Sequence, residues 1–212
     1  MNKTLTYLFD PLCGWCYGAG KRLTSTVEQT GVQLQLLPTG LFSGNGARLM
    51  DHAFAAHVWL TDQRIESITG EIFSISYRDR VLDSGEQGFD SWPATLALTA
   101  VSLTEPEREF DALKAIQQAR YINGLNIMLM DTLANLLDMQ GLGQAANSVR
   151  QPDVSLMSAT QTRIGRARHL MQMFDLRGVP CFLLEQDSKP RPLDTGAIFA
   201  EPEAFTEALL AA

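Results

Sequence analysis

Asp10-Pro11-Leu12-Cys13-Gly14-Trp15-Cys16-Tyr17-Gly18 follows the apolar run Leu5-Thr6-Tyr7-Leu8-Phe9 and precedes a stretch that reads as helix from about Gly14 to Thr30. A buried strand hands over to a helix at two cysteines three residues apart. That spacing puts both sulfurs within one helical turn, where they can join without moving the backbone far. The first sulfur falls at the helix N-terminus, whose unpaired N–H groups and dipole favour an anion. A thiolate needs that help, because it, and not the thiol, attacks disulfides. Cys16, one turn in and more shielded, suits the resolving role. By mechanism this is a redox dithiol.

Two other chemistries use the same pair. Half of a zinc site needs a second pair of ligands at suitable spacing. The remaining cysteine is Cys181, and His52, His57 and His169 form no paired motif, so no metal is expected. A static disulfide here would close a very small loop, and the chain entropy removed by a cross-link grows with loop length. Little stability would come from it.

The 212 residues suffice for a full core in one domain, or one domain carrying an insertion. With 45% apolar and 19% charged residues, the chain has the balance of an ordinary soluble globule. A net charge of −7 with no basic block disfavours nucleic acid and anionic membranes as partners. Met1-Asn2-Lys3-Thr4 passes straight into the first strand without a signal-peptide pattern. No apolar run approaches the roughly 18–20 residues of a membrane helix. These features predict a cytoplasmic protein in which cysteines rest as thiols and a disulfide is transient and catalytic.

Gly31 stops the first helix, and Val32 to Pro38 alternates and ends at proline, a second strand. The 39–46 stretch, with three glycines, reads as a loop. From Ala47 to about Ile68 the pattern turns helical, with Met50, Phe54, His57, Val58 and Ile65 near one face. Further helices are expected after a cap at Asp90 or Ser91, from Glu105-Pro106-Glu107 to Tyr121, from Ile127 to Met139, and from Val154 to Phe174. Their Met and Leu stripes read as helix–helix packing. Strands return at Cys181–Glu185 and Arg191–Leu193 around a polar turn from Gln186 to Lys189, and Glu201-Pro202 begins a last helix, Glu203 to Leu210. The order β-α-β, helices, β-β-α predicts an α/β protein: a thioredoxin-fold domain from residues 1–42 and 174–212, split by a helical domain at 43–173.

The segment Phe9-Asp10-Pro11-Leu12-Cys13-Gly14-Trp15-Cys16-Tyr17, the helical insertion, and Gly178-Val179-Pro180 before a C-terminal hairpin resemble the DsbA-like family of thiol–disulfide oxidoreductases. The FrnE-like and hydroxychromene-carboxylate-isomerase-like branch is resembled most, over nearly the whole chain. Gln118-Ala119-Arg120-Tyr121 and the stretch from Arg168 to Pro180 resemble it more loosely. The resemblance implies that Cys13 is the nucleophile, Cys16 the resolving thiol, and Val179–Pro180 a cis peptide facing the dithiol. Proline is the residue whose preceding bond tolerates the cis form. A cis loop there would expose the Val179 backbone to an extended substrate, by strand addition, with Trp15 supplying an apolar contact. The implied partner is a thiol- or disulfide-containing protein or glutathione, as redox partner or substrate, and no resident cofactor is implied. Two further readings stay open: a glutathione-dependent isomerase or transferase of the kappa or hydroxychromene type, whose members typically carry serine at the nucleophile, and a non-enzymatic binding protein.

Departures from the family pattern bear on mechanism. Gly14-Trp15 matches neither the Gly-Pro of thioredoxin nor the Pro-His of typical DsbA, so the direction of electron flow is not transferable. Asp10 lies three residues before Cys13 and, if turned inward, raises its pKa by like-charge repulsion. Tyr7 stands where thioredoxin and DsbA carry a buried acid, so proton transfer at Cys16 needs water or another group. Cys181 starts a core strand and reads as a small buried hydrophobe, with a third redox thiol as the sharper alternative. The histidines, and Arg163, Arg166 and Arg168, read as ordinary helix-surface residues.

Overall fold

The computed structural model describes residues 3–85, 88–187, 189–201 and 203–211. Met1 and Asn2, Ser188 in the expected turn, and Pro202 at the expected start of the last helix lie outside them.

The pleat of β1 (Thr4–Phe9) decides what each face of the sheet carries. Leu5, Tyr7 and Phe9 enter the main core, and Leu8 enters a second, smaller one. Helix α1 (Gly14–Thr30) starts four residues after Asp10 and ends at Gly31, whose φ of 63° lets its N–H close on the Val27 carbonyl. β2 (Gln33–Pro38) then pairs parallel with β1, Thr4 opposite Gln33 through Phe9 opposite Pro38.

The helical block begins later than its apolar pattern suggests. Arg48–Leu49 is a short strand, β3, and α2 runs His52–Thr69, capped by Asp51 accepting from the Phe54 N–H. Its buried face is Ala55, Asp62 and Ile65, spaced for one helical stripe. His57, expected on that face, is exposed. A single turn α3 (Ile75–Tyr77) and a π turn follow, and β4 (Gly88–Phe89) pairs with β3. α4 (Trp92–Thr104) is buried nearly all round. Asp90 accepts from the Trp92 N–H, while Ser91 makes no capping bond. α5 (Glu109–Tyr121) is entered through a 3₁₀ turn at Pro106–Arg108. α6 is Met130–Met139, three residues shorter at its start than expected, because Asn126 closes a side-chain turn on the Met128 N–H. The sequence pattern does not announce α7 (Gly143–Arg150), which buries only Ala145, Ala146 and Val149. α8 (Val154–Met173) is capped by Asp153.

β5 (Cys181–Gln186) pairs antiparallel with β1, and β6 (Lys189–Pro192) with β5, completing the order β2-β1-β5-β6. α9 (Ala204–Leu210) packs beside α1 on the main-core face, through Phe205 and Leu209. α8 covers the other face with Ala167, Leu170 and Met171. This is the thioredoxin fold with helices inserted between its second and third strands. Arg163 does not sit in a solvated basic patch. It pairs with Glu109 at 2.5 Å and donates to the Leu36 carbonyl, tying α8 to α5 and β2. Arg168 likewise donates to the carbonyls of Thr39 and Gly40. Among the described residues, no helix is long and apolar enough to cross a membrane.

Candidate active site

Cys13 is the N-cap of α1, with extended backbone and no side-chain cap, so its sulfur stands at the helix N-terminus with nothing of its own blocking the first N–H groups. The turn that brings it there is closed by the Cys13 N–H on the Asp10 carbonyl at 3.0 Å. The Val179–Pro180 peptide is cis, and the Cys13 thiol donates to the Val179 carbonyl at 3.5 Å. Residues 166 apart in sequence thus meet at the first sulfur. All three cysteines are unpaired thiols, with Cys13 7% and Cys16 1% exposed. Cys16 therefore lies behind Cys13 as seen from solvent.

Burial pushes the Cys16 thiol well up from its usual range, and the neighbouring Cys13 pushes further. Hydrogen bonding from the Asp10 N–H and the Tyr7 hydroxyl pulls the other way. The Tyr7 hydroxyl also donates to the Cys16 carbonyl at 3.1 Å. In the sequence Tyr7 stands out only as a missing acid. The strand alternation Leu5-Tyr7-Phe9 is the signal that aims it at α1.

Asp10 is fully buried and points inward. Its Oδ1 accepts from the Leu12 N–H at 2.9 Å, and its Oδ2 from the Phe42 N–H at 3.2 Å and the Ser91 hydroxyl at 2.7 Å. Burial raises its pKa and these bonds oppose the rise. One carboxylate thereby joins the end of β1, the loop after β2 and the start of α4. Tyr121 braces the same turn, donating to the Leu12 carbonyl at 2.8 Å.

Behind Gly14 lies a second polar group that the sequence pattern does not reveal. A Cβ at Gly14 would meet Asp62 Oδ1 at 2.3 Å, so any larger residue there would displace the Asp62 side chain from its place against the Cys13–Cys16 turn. Asp62 accepts from the Tyr77 hydroxyl at 2.9 Å, and burial raises its carboxyl to about 7 against the pull of Tyr77 and Arg120. Arg120 is fully buried, its guanidinium 5.3 Å from the Tyr77 ring centre and 5.7 Å from that of Tyr121. Its nitrogens make no hydrogen bond among the described residues.

Trp15 is half-buried with its ring edge-on to Phe199 at 4.9 Å. Phe199 is held there because Arg22 of α1 donates to the carbonyls of Ile198 and Ala200. Val179 is half-buried and Pro180 buried. Cys181 is not part of this group. It sits in the second core with Leu8, Leu37, Ala167 and Leu183, and its thiol donates to the Gly178 carbonyl. His52, His57 and His169 are exposed. Among the described residues no three His, Cys, Asp or Glu side chains are placed to hold a metal.

A four-stranded sheet with two thiols at the first helix and a cis proline opposite defines a thioredoxin-fold protein with a paired-thiol site. Comparison with solved structures narrows that class. Cytosolic disulfide reductase DsbM from Pseudomonas aeruginosa is 32% identical, covering 98% of this chain and 97% of its own, with a TM-score of 0.86. Its structure with GSH aligns at 30% identity over 99% of this chain and 100% of that one, TM-score 0.84. A crystal structure from Nitrosomonas europaea, 21% identical over 100% of this chain and 97% of that one, shares the fold at a TM-score of 0.81. The chain belongs to the DsbA-like family and is a thiol–disulfide oxidoreductase. No family model matches it, and no curated protein matches it.

Proposed function

We propose that the protein exchanges disulfides through Cys13 and Cys16, with Cys13 as nucleophile and Cys16 as resolving thiol. The observation that carries this reading is the Cys13 sulfur at the N-terminus of α1, in contact with the Val179 carbonyl, with Cys16 buried one turn behind. Cys13 attacks a substrate disulfide, and a mixed disulfide forms. Cys16 then displaces the substrate sulfur and closes the Cys13–Cys16 bond. The Val179 backbone and Pro180 form one wall of the substrate site and the Trp15 face another. Asp10 acts as a brace for the turn that presents Cys13. Glutathione is proposed as a thiol partner, since the relative DsbM has been solved with GSH. A cytosolic place and a reducing direction are proposed on the same relative.

Equilibration against glutathione buffers, read by Trp15 fluorescence and by mass, tests this. Reversible loss of two protons with Cys13 linked to Cys16 is expected, and the midpoint reports the direction of electron flow. A stable glutathione adduct, or no oxidation, would move the isomerase or binding reading ahead.

A further inference from the structure

Resting on that dithiol reading, the resolving step poses a problem the geometry answers. Cys16 has to become a thiolate at a position 1% exposed. The Tyr7 hydroxyl lies 3.1 Å from the Cys16 carbonyl, and hydrogen bonding from it and from the Asp10 N–H opposes the upward push of burial and of Cys13 on the Cys16 thiol. Both Asp10 carboxylate oxygens are already occupied by donors from Leu12, Phe42 and Ser91. The Tyr7 ring is clamped between Phe9, stacked at 5.1 Å and 25°, and Phe182, stacked at 5.1 Å and 9°. What remains free in Tyr7 is rotation of the hydroxyl hydrogen.

We propose that Tyr7 is a switching hydrogen-bond donor for the resolving thiol. Its hydroxyl donates to the Cys16 carbonyl while Cys16 is protonated, and turns to Cys16 Sγ when the thiolate forms. Burial holds the Tyr7 hydroxyl well above its ordinary pKa. Tyr7 therefore keeps its proton throughout and serves as a donor, where a carboxylate in that place would serve as a base. The proton leaving Cys16 goes to water. The Cys16 thiolate then attacks Cys13 Sγ, the Cys13–Cys16 bond forms, and the bond from Cys13 to the substrate sulfur breaks. The substrate departs as a thiolate with the electron pair and takes a proton from solvent. The dithiol has lost two electrons and the substrate disulfide has gained them.

Dithiobis-nitrobenzoate separates the two steps, because attack by Cys13 releases one coloured thiolate and resolution by Cys16 releases a second. In a Cys181→Ala background, Tyr7→Phe keeps the stacked ring and removes the hydroxyl. The first phase should be unchanged. The second should slow by roughly 10- to 100-fold near neutral pH, the worth of a hydrogen bond to a charged group. Its pH midpoint should rise by about one to two units. A second phase unchanged in rate and midpoint would overturn the proposal. Absence of either phase in the protein retaining Tyr7 would overturn the dithiol reading instead, so the two failures are distinct. Should Tyr7→Phe not fold, the ¹³Cζ resonance of Tyr7 in a Cys13→Ser, Cys181→Ala protein reads the same contact directly. It should shift with the midpoint of Cys16 thiolate absorbance, and a flat response refutes the contact.

Discussion

Replacing Asp10 by alanine removes the acceptor for two backbone N–H groups and one hydroxyl, all at a fully buried position. Each buried donor left without a partner costs about 1–3 kcal/mol. Removing a carboxylate whose pKa burial has already raised returns part of that sum, as does any water entering the gap. The net loss expected is about 3–5 kcal/mol, a large share of the roughly 5–15 kcal/mol of a whole domain. For a chain of this length that lowers the melting temperature by about 6–20 °C. Asp10→Asn should fall between. It keeps one acceptor, and its NH₂ can turn toward the Ser91 oxygen, but the Phe42 N–H then loses its partner. Denaturant unfolding followed by tryptophan fluorescence gives the three stabilities. A double-mutant cycle of Asp10→Asn with Ser91→Ala should show coupling of about 0.5–3 kcal/mol. An Asp10→Ala protein within about 1 kcal/mol of the parent, with the same melting temperature, would refute the bracing argument.

Two further outcomes follow from other parts of the site. Asp62, raised to about 7 from an unfolded value near about 3.9, binds its proton more tightly when folded. Stability from this group is therefore complete below the unfolded value and is lost as pH rises through about 7, by up to about 4 kcal/mol. Asp62→Asn should match the parent at low pH and exceed it at pH 8. The difference between the two proteins isolates Asp62 from Glu109, which is also raised to about 7; parallel pH curves would refute the assignment. Cys181→Ala should cost about 1 kcal/mol of packing in the second core and leave the Cys13–Cys16 redox midpoint unmoved; a shifted midpoint would bring the third thiol into the chemistry.

What can be read in advance divides by range of interaction. The β1–α1–β2 unit, the Cys13–Cys16 pair and the C-terminal hairpin carry local signals: an apolar run, a Gly31 stop, a proline before a strand. Helix α7 carries almost none, since its contacts are two alanines and a valine, too small to print a stripe. The start of α2 reads too early because Met50 fits a helical pattern, though the Asp51 cap is the better marker. Ser91 looks like a cap and instead commits its hydroxyl to Asp10, 81 residues away. Tyr121 and Asp62 reach the dithiol turn by the same kind of distant contact. No window of sequence contains both ends of such a contact.

The pairing of β5 with β1 sets Phe182 opposite Tyr7 and Cys181 opposite Leu8. Because strand side chains alternate, the sheet itself insulates the third sulfur from the first two. A point substitution can change what Cys181 is but not which side it occupies. Gain of a single residue between Pro180 and Cys181 would move every side chain of the strand to the opposite face, setting the Cys181 sulfur where Phe182 now stacks on Tyr7. Bringing the third sulfur to the face that carries Tyr7 therefore takes a change of register, and substitutions at these positions do not approach it.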